Sequence, residues 1–159
     1  MKKLLALLLA LIMVLSLFAG CGAAPADDGV IKVAIVQQLD HSSLDEIRQA
    51  AEAQLDQIAA EKGLTIQYKH FNGQNDTSIL AQIGSQVVSD GYDLILPIAT
   101  LAAQYSVTAA EGTNIPIIYA AVSDPAGAGL TGMANVTGVS DALNTPFILD
   151  MMLAAQPDV

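Results

Sequence analysis

Val30-Ile31-Lys32-Val33-Ala34-Ile35-Val36, continued by Gln37-Gln38-Leu39-Asp40-His41 and then Ser43-Leu44-Asp45-Glu46, is the stretch that decides the fold. Its first seven residues are apolar at nearly every position, as a strand covered on both faces must be. Ser43 with Glu46 three places later forms a capping box, and Leu44, Ile47, Ala51, Leu55 and Ile58 trace one helical face until Gly63 closes it. A doubly covered strand followed by an amphipathic helix opens a βαβ unit, so the chain is expected to wind a parallel sheet.

The pattern repeats downstream. Leu64, Ile66, Tyr68 and His70 alternate with Thr65, Gln67 and Lys69, which suits a half-exposed strand near the sheet edge. Asp76 or Thr77 starts a second helix through Ile79, Leu80, Ile83, Val87 and Val88, which ends at Asp90-Gly91. Residues 93–98 read as a third strand, 100–110 as a third helix capped by Thr100, and 115–122 as a fourth strand opened by Pro116. Pro97 implies that the third strand is already leaving the sheet there. A turn over residues 124–127, a fifth strand over 135–139 and a helix over 145–155 follow.

The chain of 159 residues is 53% apolar but only 4% aromatic and has no tryptophan, so Ala, Leu, Ile and Val must build the core of one ordinary domain. Sixteen acidic residues stand against six basic ones, two of which, Lys2 and Lys3, lie at the extreme N-terminus. Such a surface repels phosphate backbones and argues against a nucleic-acid partner. The single cysteine, Cys21, permits no intrachain disulfide.

Lys2 and Lys3, an apolar run over residues 4–18 relieved only by Ser16, and Ala19-Gly20-Cys21 have the layout of a signal peptide. The run is shorter than the roughly 20 residues that a membrane-spanning helix needs. Ala19-Gly20-Cys21 resembles the lipobox of bacterial lipoproteins, with Phe18 where leucine is more usual. That resemblance makes residues 1–20 a lipoprotein signal peptide and Cys21 the lipidation site, followed by a flexible tether over 21–29.

In an open parallel sheet, ligands bind beyond the carboxyl ends of the strands. The segments there are 37–42, 71–76, 97–101 and 121–124, rich in Asn, Gln, Ser and Thr and poor in groups that act as acid, base or nucleophile. That inventory favours holding a solute over transforming it. The candidate ligand residues are Leu39, Asp40, His41, Asn72, Gln74, Thr100, Leu101, Ser123 and Asp124. His41 also suits a plain loop position, Asp124 a turn anchor before Pro125, and Asn72 and Gln74 the satisfaction of loop backbone groups. At the start of the third helix, the amides of Leu101, Ala102 and Ala103 are expected to lack partners and to hold a carboxylate with the Thr100 hydroxyl, Ser123 approaching from the side. Two histidines, His41 and His70, cannot build a three-ligand metal site, no glycine-rich phosphate loop follows a strand, and the neighbours Asp40, His41 and Ser42 diverge too much for a catalytic triad. Neither an enzyme activity, a metal nor a cofactor is expected.

Specific strings go further. Val33-Ala34-Ile35-Val36-Gln37 with His41 and Leu44-Asp45, Asn72-Gly73-Gln74, the run Ile117-Ile118-Tyr119-Ala120-Ala121-Val122-Ser123-Asp124-Pro125, and Asn135-Val136-Thr137-Gly138-Val139-Ser140-Asp141 resemble the ABC transporter substrate-binding protein family, whose characterised members capture aromatic amino acids such as tryptophan and tyrosine. The resemblance implies a periplasmic-binding-protein-like (type I) α/β lobe, a doubly wound, mostly parallel sheet with helices on both faces. It places the first lobe at residues 30–141, with the hinge exit and first helix of a truncated second lobe at 142–159. It implies a lipid-anchored monomer on the extracytoplasmic face that binds a small solute and delivers it to an ABC permease in the membrane. The competing expectation is a ligand-sensing extracytoplasmic lobe for a membrane signalling partner. In Pro97-Ile98-Ala99-Thr100-Leu101 the chain departs from the family, which more often has a Gly-Thr pair there.

Overall fold

A computed structural model describes residues 29–156. The signal segment, Cys21 and nearly all of the expected tether lie outside those residues. Five strands, β1 (Val30–Gln37), β2 (Thr65–Asn72), β3 (Leu94–Ile98), β4 (Ile117–Tyr119) and β5 (Val136–Gly138), form one sheet in the order β2-β1-β3-β4-β5. Every pairing is parallel. Helices α1 (Ser42–Lys62), α2 (Thr77–Ser89), α3 (Thr100–Ala109) and α4 (Thr145–Ala155) follow β1, β2, β3 and β5 respectively.

The continuous apolar pattern of β1 fits its central place, with Val33, Ala34, Ile35, Val36 and Gln37 all buried. Alternate residues serve opposite faces. Val33 and Ile35 pack with Ile98 and with Leu44, Ile47 and Leu55 of α1, whereas Ala34 and Val36 join Leu80, Ile83 and Val87 of α2 and Ala102 of α3. The chain thus winds first down one face and then down the other, and the reversal falls between β1 and β3. Helices α2 and α3 approach closely because Gly84 has no Cβ; one placed there would stand 2.7 Å from Ala109 Cβ. The edge position read for the second strand is correct.

Three local expectations need correction. Helix α1 is capped by His41, not Ser43. His41 is extended at φ −156°, ψ 135°, its Nδ1 accepts from the Ser43 amide at 3.3 Å, and its carbonyl accepts the Asp45 N–H at 2.9 Å. The ladder therefore begins before the capping box can form. Pro97 does not mark the departure of β3: it lies opposite Val36 and is buried. Its carbonyl accepts from the Ala120 amide at 2.9 Å, so its missing N–H falls on the β4 side. The ladder there contracts to the pair Ile95↔Ile117 and an isolated bridge Ile98↔Ala120, which leaves β4 shorter than its apolar run. Thr100, finally, is the first residue of α3 and does not cap it; the cap residue is Ala99, which makes no side-chain cap bond.

Helix α4 is capped by Asn144, whose side chain accepts from Phe147 N at 3.1 Å. Its apolar residues lie open, Phe147 58% and Met152 60% exposed.

Candidate functional site

The four strand-end segments meet at the carboxyl edge of the sheet and are stitched together there. Gln38 N–H donates to Ile98 O at 3.2 Å, Gly73 N–H to Gln37 O at 2.8 Å, Asn75 N–H to Gln38 O at 2.8 Å and Ala99 N–H to Ala120 O at 2.9 Å. Side chains add to the seam. Asn72 Nδ2 donates to Asp40 Oδ1, and Asn72 Oδ1 accepts from Gln74 N at 2.7 Å. Asp40, Asn72 and Gln74 therefore belong to one hydrogen-bonded group, whereas Leu39 O accepts from Gln37 Nε2 and His41 caps α1. Leu101, next to Thr100, is tied to the loop after β1 by the Gln38 side chain, whose Oε1 accepts the Leu101 amide at 3.0 Å.

Ser123 and Asp124 leave β4 on the neighbouring side. Asp124 anchors its turn, with Oδ1 accepting from Gly127 N at 2.9 Å and its carbonyl accepting from Ala128 N at 2.9 Å. Ser123 O accepts from Ser140 Oγ at 3.3 Å, which ties in the segment after β5.

The unpartnered amides expected at the start of α3 are not as anticipated. Leu101 N–H is taken by Gln38, and Ala103 N–H donates to Ala99 O at 3.1 Å. An amide side chain from the loop after β1, that of Gln38, does the capping that Thr100 does not.

Backbone strain collects at this edge. Among the described residues, the non-glycine positions with positive φ are Gln74 (51°), Asn75 (55°), Ala99 (77°) and Ala121 (54°), all in strand-end segments. Such conformations cost about 1–3 kcal/mol each and cluster where ligands are held. The residues that sequence reasoning left out of the site are the two glutamines. Gln37 is fully buried, its Nε2 donating to Leu39 O at 2.8 Å and to Asp45 Oδ1 at 2.9 Å, while its Oε1 has no partner. A signal was present: Gln37 keeps the parity of Val33 and Ile35, so it must point into the α1 face.

The titratable groups near the edge are modest in number. Burial, then the charge of Arg48, holds His70 below its ordinary value of 6.5, while Glu52, Asp40 and Asp45 pull the other way. Arg48 is itself paired with Glu52 at 2.8 Å. No group of His, Cys, Asp and Glu side chains among the described residues is arranged to hold a metal ion. A hollow of ≈ 320 Å³ lined by Lys32, Gln67, Tyr68, Lys69, Asp90 and Tyr92 lies at the β1–β2 margin instead of the carboxyl edge. Lys69 Nζ stands 4.8 Å from the Phe71 ring centroid, and the Lys32 backbone amide donates to Asp93 Oδ2 at 2.8 Å. The loop edge is the better candidate because it combines backbone strain, convergent amides and the sheet's switch point.

An open, all-parallel sheet with this strand order and amide-rich loops at its carboxyl edge defines a periplasmic-binding-protein-like (type I) lobe, doubly wound, with helices on both faces. The chain belongs to the family described as ABC transporter substrate binding protein, whose sequence profile matches residues 32–159. It is 31% identical over 172 aligned residues to a tyrosine-binding protein of Clostridioides difficile, covering 98% of this chain and 49% of that protein. Among solved structures, the ligand-free, open form of a substrate binding protein with adhesive properties from Clostridium difficile superimposes with a TM-score of 0.70 at 32% identity, covering 80% of this chain and 44% of that one. A Streptococcus pneumoniae ABC domain in complex with L-Trp gives 0.66 at 33% identity, covering 80% and 43%. The chain thus spans about half the length of the relatives it matches.

Proposed function

We propose that this chain is the extracytoplasmic solute-binding component of an ABC uptake transporter and captures an aromatic amino acid, or a similar small solute, without transforming it. The observation that carries the reading is the convergence of strained, amide-rich loops at the carboxyl edge, where Asp40, Asn72 and Gln74 are hydrogen-bonded together, Gln38 holds Leu101 and Ser140 holds Ser123. Neutral donors and acceptors of this kind orient a zwitterion while leaving its bonds intact. The tyrosine-binding and L-Trp-bound relatives support the choice of solute class.

In the same reading, residues 30–141 are the first lobe, and residues 142–159 form the hinge exit and the first helix of a second lobe that supplies the opposing wall of the cleft. The exposed apolar side chains of α4, including Phe147, Leu149 and Met152, fit a helix whose packing partner belongs to that second wall. Residues 1–20 are a lipoprotein signal peptide and 21–29 a tether. Cys21 carries the lipid that keeps the monomeric protein on the extracytoplasmic face of the cell membrane beside its permease. Among the described residues, no helix is long and apolar enough to cross a membrane.

The solute class is testable directly. The chain has no tryptophan, so the fluorescence of added L-tryptophan reports its own binding. A saturable change with L-tryptophan, competed by L-tyrosine and not by L-lysine, is expected; competition by L-lysine as effective as by L-tyrosine would overturn the aromatic assignment.

A further inference from the structure

We propose that Gln38 is the positioning residue of the solute site, the one side chain among the described residues that bonds across the loops after β1, β2 and β3. The proposal rests on the binding-protein reading and deepens it. Gln38 makes four bonds across the edge. Its amide donates to Ile98 O at 3.2 Å and its carbonyl accepts from Asn75 N at 2.8 Å. Its Nε2 donates to Asn75 Oδ1 at 2.9 Å, and its Oε1 accepts the Leu101 amide at 3.0 Å. The two backbone bonds survive any substitution; the two side-chain bonds depend on a carboxamide, which offers a donor at one atom and an acceptor at the other.

What these bonds hold is strained. Asn75 has φ 55° and its neighbour Gln74 φ 51°, and Leu101 follows Ala99 at φ 77° by two residues. Unusual backbone persists only where its surroundings over-determine it. Gln38 ties to both strained turns at once, the Asn75 side through Nε2 and the α3 side through Oε1. The candidate contacts Gln74, Thr100 and Leu101 are adjacent to the atoms it holds, so the spacing of the rim depends on this side chain without its touching the solute.

The experiment compares Gln38→Met, of similar length but with neither bond, and Gln38→Glu, which still accepts from the Leu101 amide and, after rotation of the Asn75 amide, from Asn75 Nδ2. Hydrogen exchange at the Leu101 and Asn75 amides and L-tryptophan affinity are read well below the unfolding temperature. In Gln38→Met, exchange at both amides is expected to rise and affinity to fall by about tenfold, the worth of roughly one hydrogen bond of 1.4 kcal/mol. Gln38→Glu is expected to recover most of both. A side chain that merely stabilised the fold would lower the unfolding midpoint in both variants and leave the affinity of the folded protein unchanged, and that result overturns the proposal. So does unchanged exchange at both amides in Gln38→Met. If the unsubstituted protein binds no L-tryptophan, the solute reading fails, while exchange at Leu101 and Asn75 still decides whether Gln38 couples the loops.

Discussion

Ala99→Gly should stabilise this protein, although alanine to glycine ordinarily does the reverse. Ala99 ends β3 and opens α3 at φ 77°, ψ 165°, a region that is essentially reserved for glycine. It is held there by bonds at both ends, its N–H to Ala120 O at 2.9 Å and its carbonyl from Ala103 N at 3.1 Å. Removing Cβ relieves about 1–3 kcal/mol of strain. Against this, glycine adds freedom to the unfolded chain worth about 0.4–1 kcal/mol. The net expectation is a gain of about 1 kcal/mol. The control is Ala53→Gly in the exposed interior of α1, where the same change should cost about 1 kcal/mol. Urea unfolding of the three proteins at constant slope gives both differences from the midpoints. A loss at Ala99 equal to that at Ala53 would refute the claim that the strand-end backbone is strained.

Further expectations follow from the same coordinates. A Cβ on Gly73 would lie 2.3 Å from Leu80 Cδ2 and 3.0 Å from Gln38 O, and Gly73 has no positive φ, so Gly73→Ala should cost about 1–3 kcal/mol through overpacking alone. Leu80→Ala, at a site 1% exposed, should cost about 2–5 kcal/mol. The double variant should lose less than the sum, and strict additivity in urea midpoints would contradict the contact. The folded state holds the pKa of His70 below its ordinary 6.5, so its neutral form is favoured; the stability this gives is present above 6.5 and lost as pH falls below it. Because His70 keeps much of its surface in solvent, the effect is small, and it is read as a flatter acid-side stability profile in His70→Gln; identical profiles would show that His70 titrates alike in both states. Cys21→Ala should move the protein from the membrane to the soluble fraction of cells that process lipoproteins, and unchanged mass and partition would exclude the lipid anchor.

Most of the fold is legible in the sequence because period and punctuation agree. Val30 to Val36 has no polar face, so it had to be central; Thr65, Gln67 and Lys69 alternate with Ile66 and Tyr68, so that strand had to lie at an edge. Asp76, Gly63 and Asn144 end or open helices by local chemistry that needs no tertiary information. The misreadings occur at helix starts, where one local signal competes with a neighbouring residue or with a distant one. Ser43 looks like a cap until the His41 carbonyl takes the Asp45 amide. Thr100 looks like a cap until Ala99 turns the chain at positive φ and Gln38, more than sixty residues earlier, supplies the acceptor. The strand-end segments that hold the candidate residues are readable in the sequence, but their wiring is not, since a glutamine's two hydrogen bonds carry no sequence pattern.

The central claim is that the carboxyl-edge rim is where a solute sits. Amide chemical shifts of the isotope-labelled protein, followed while L-tryptophan or L-tyrosine is added to saturation, test it without presupposing affinity. The account predicts perturbations concentrated at Leu39, Asp40 and His41, Asn72 and Gln74, Thr100 and Leu101, and Ser123 and Asp124, with Lys32, Gln67 and Lys69 at the opposite margin unmoved. Perturbations gathered around the Lys32–Tyr92 hollow, or none at the rim at saturating solute, would contradict it.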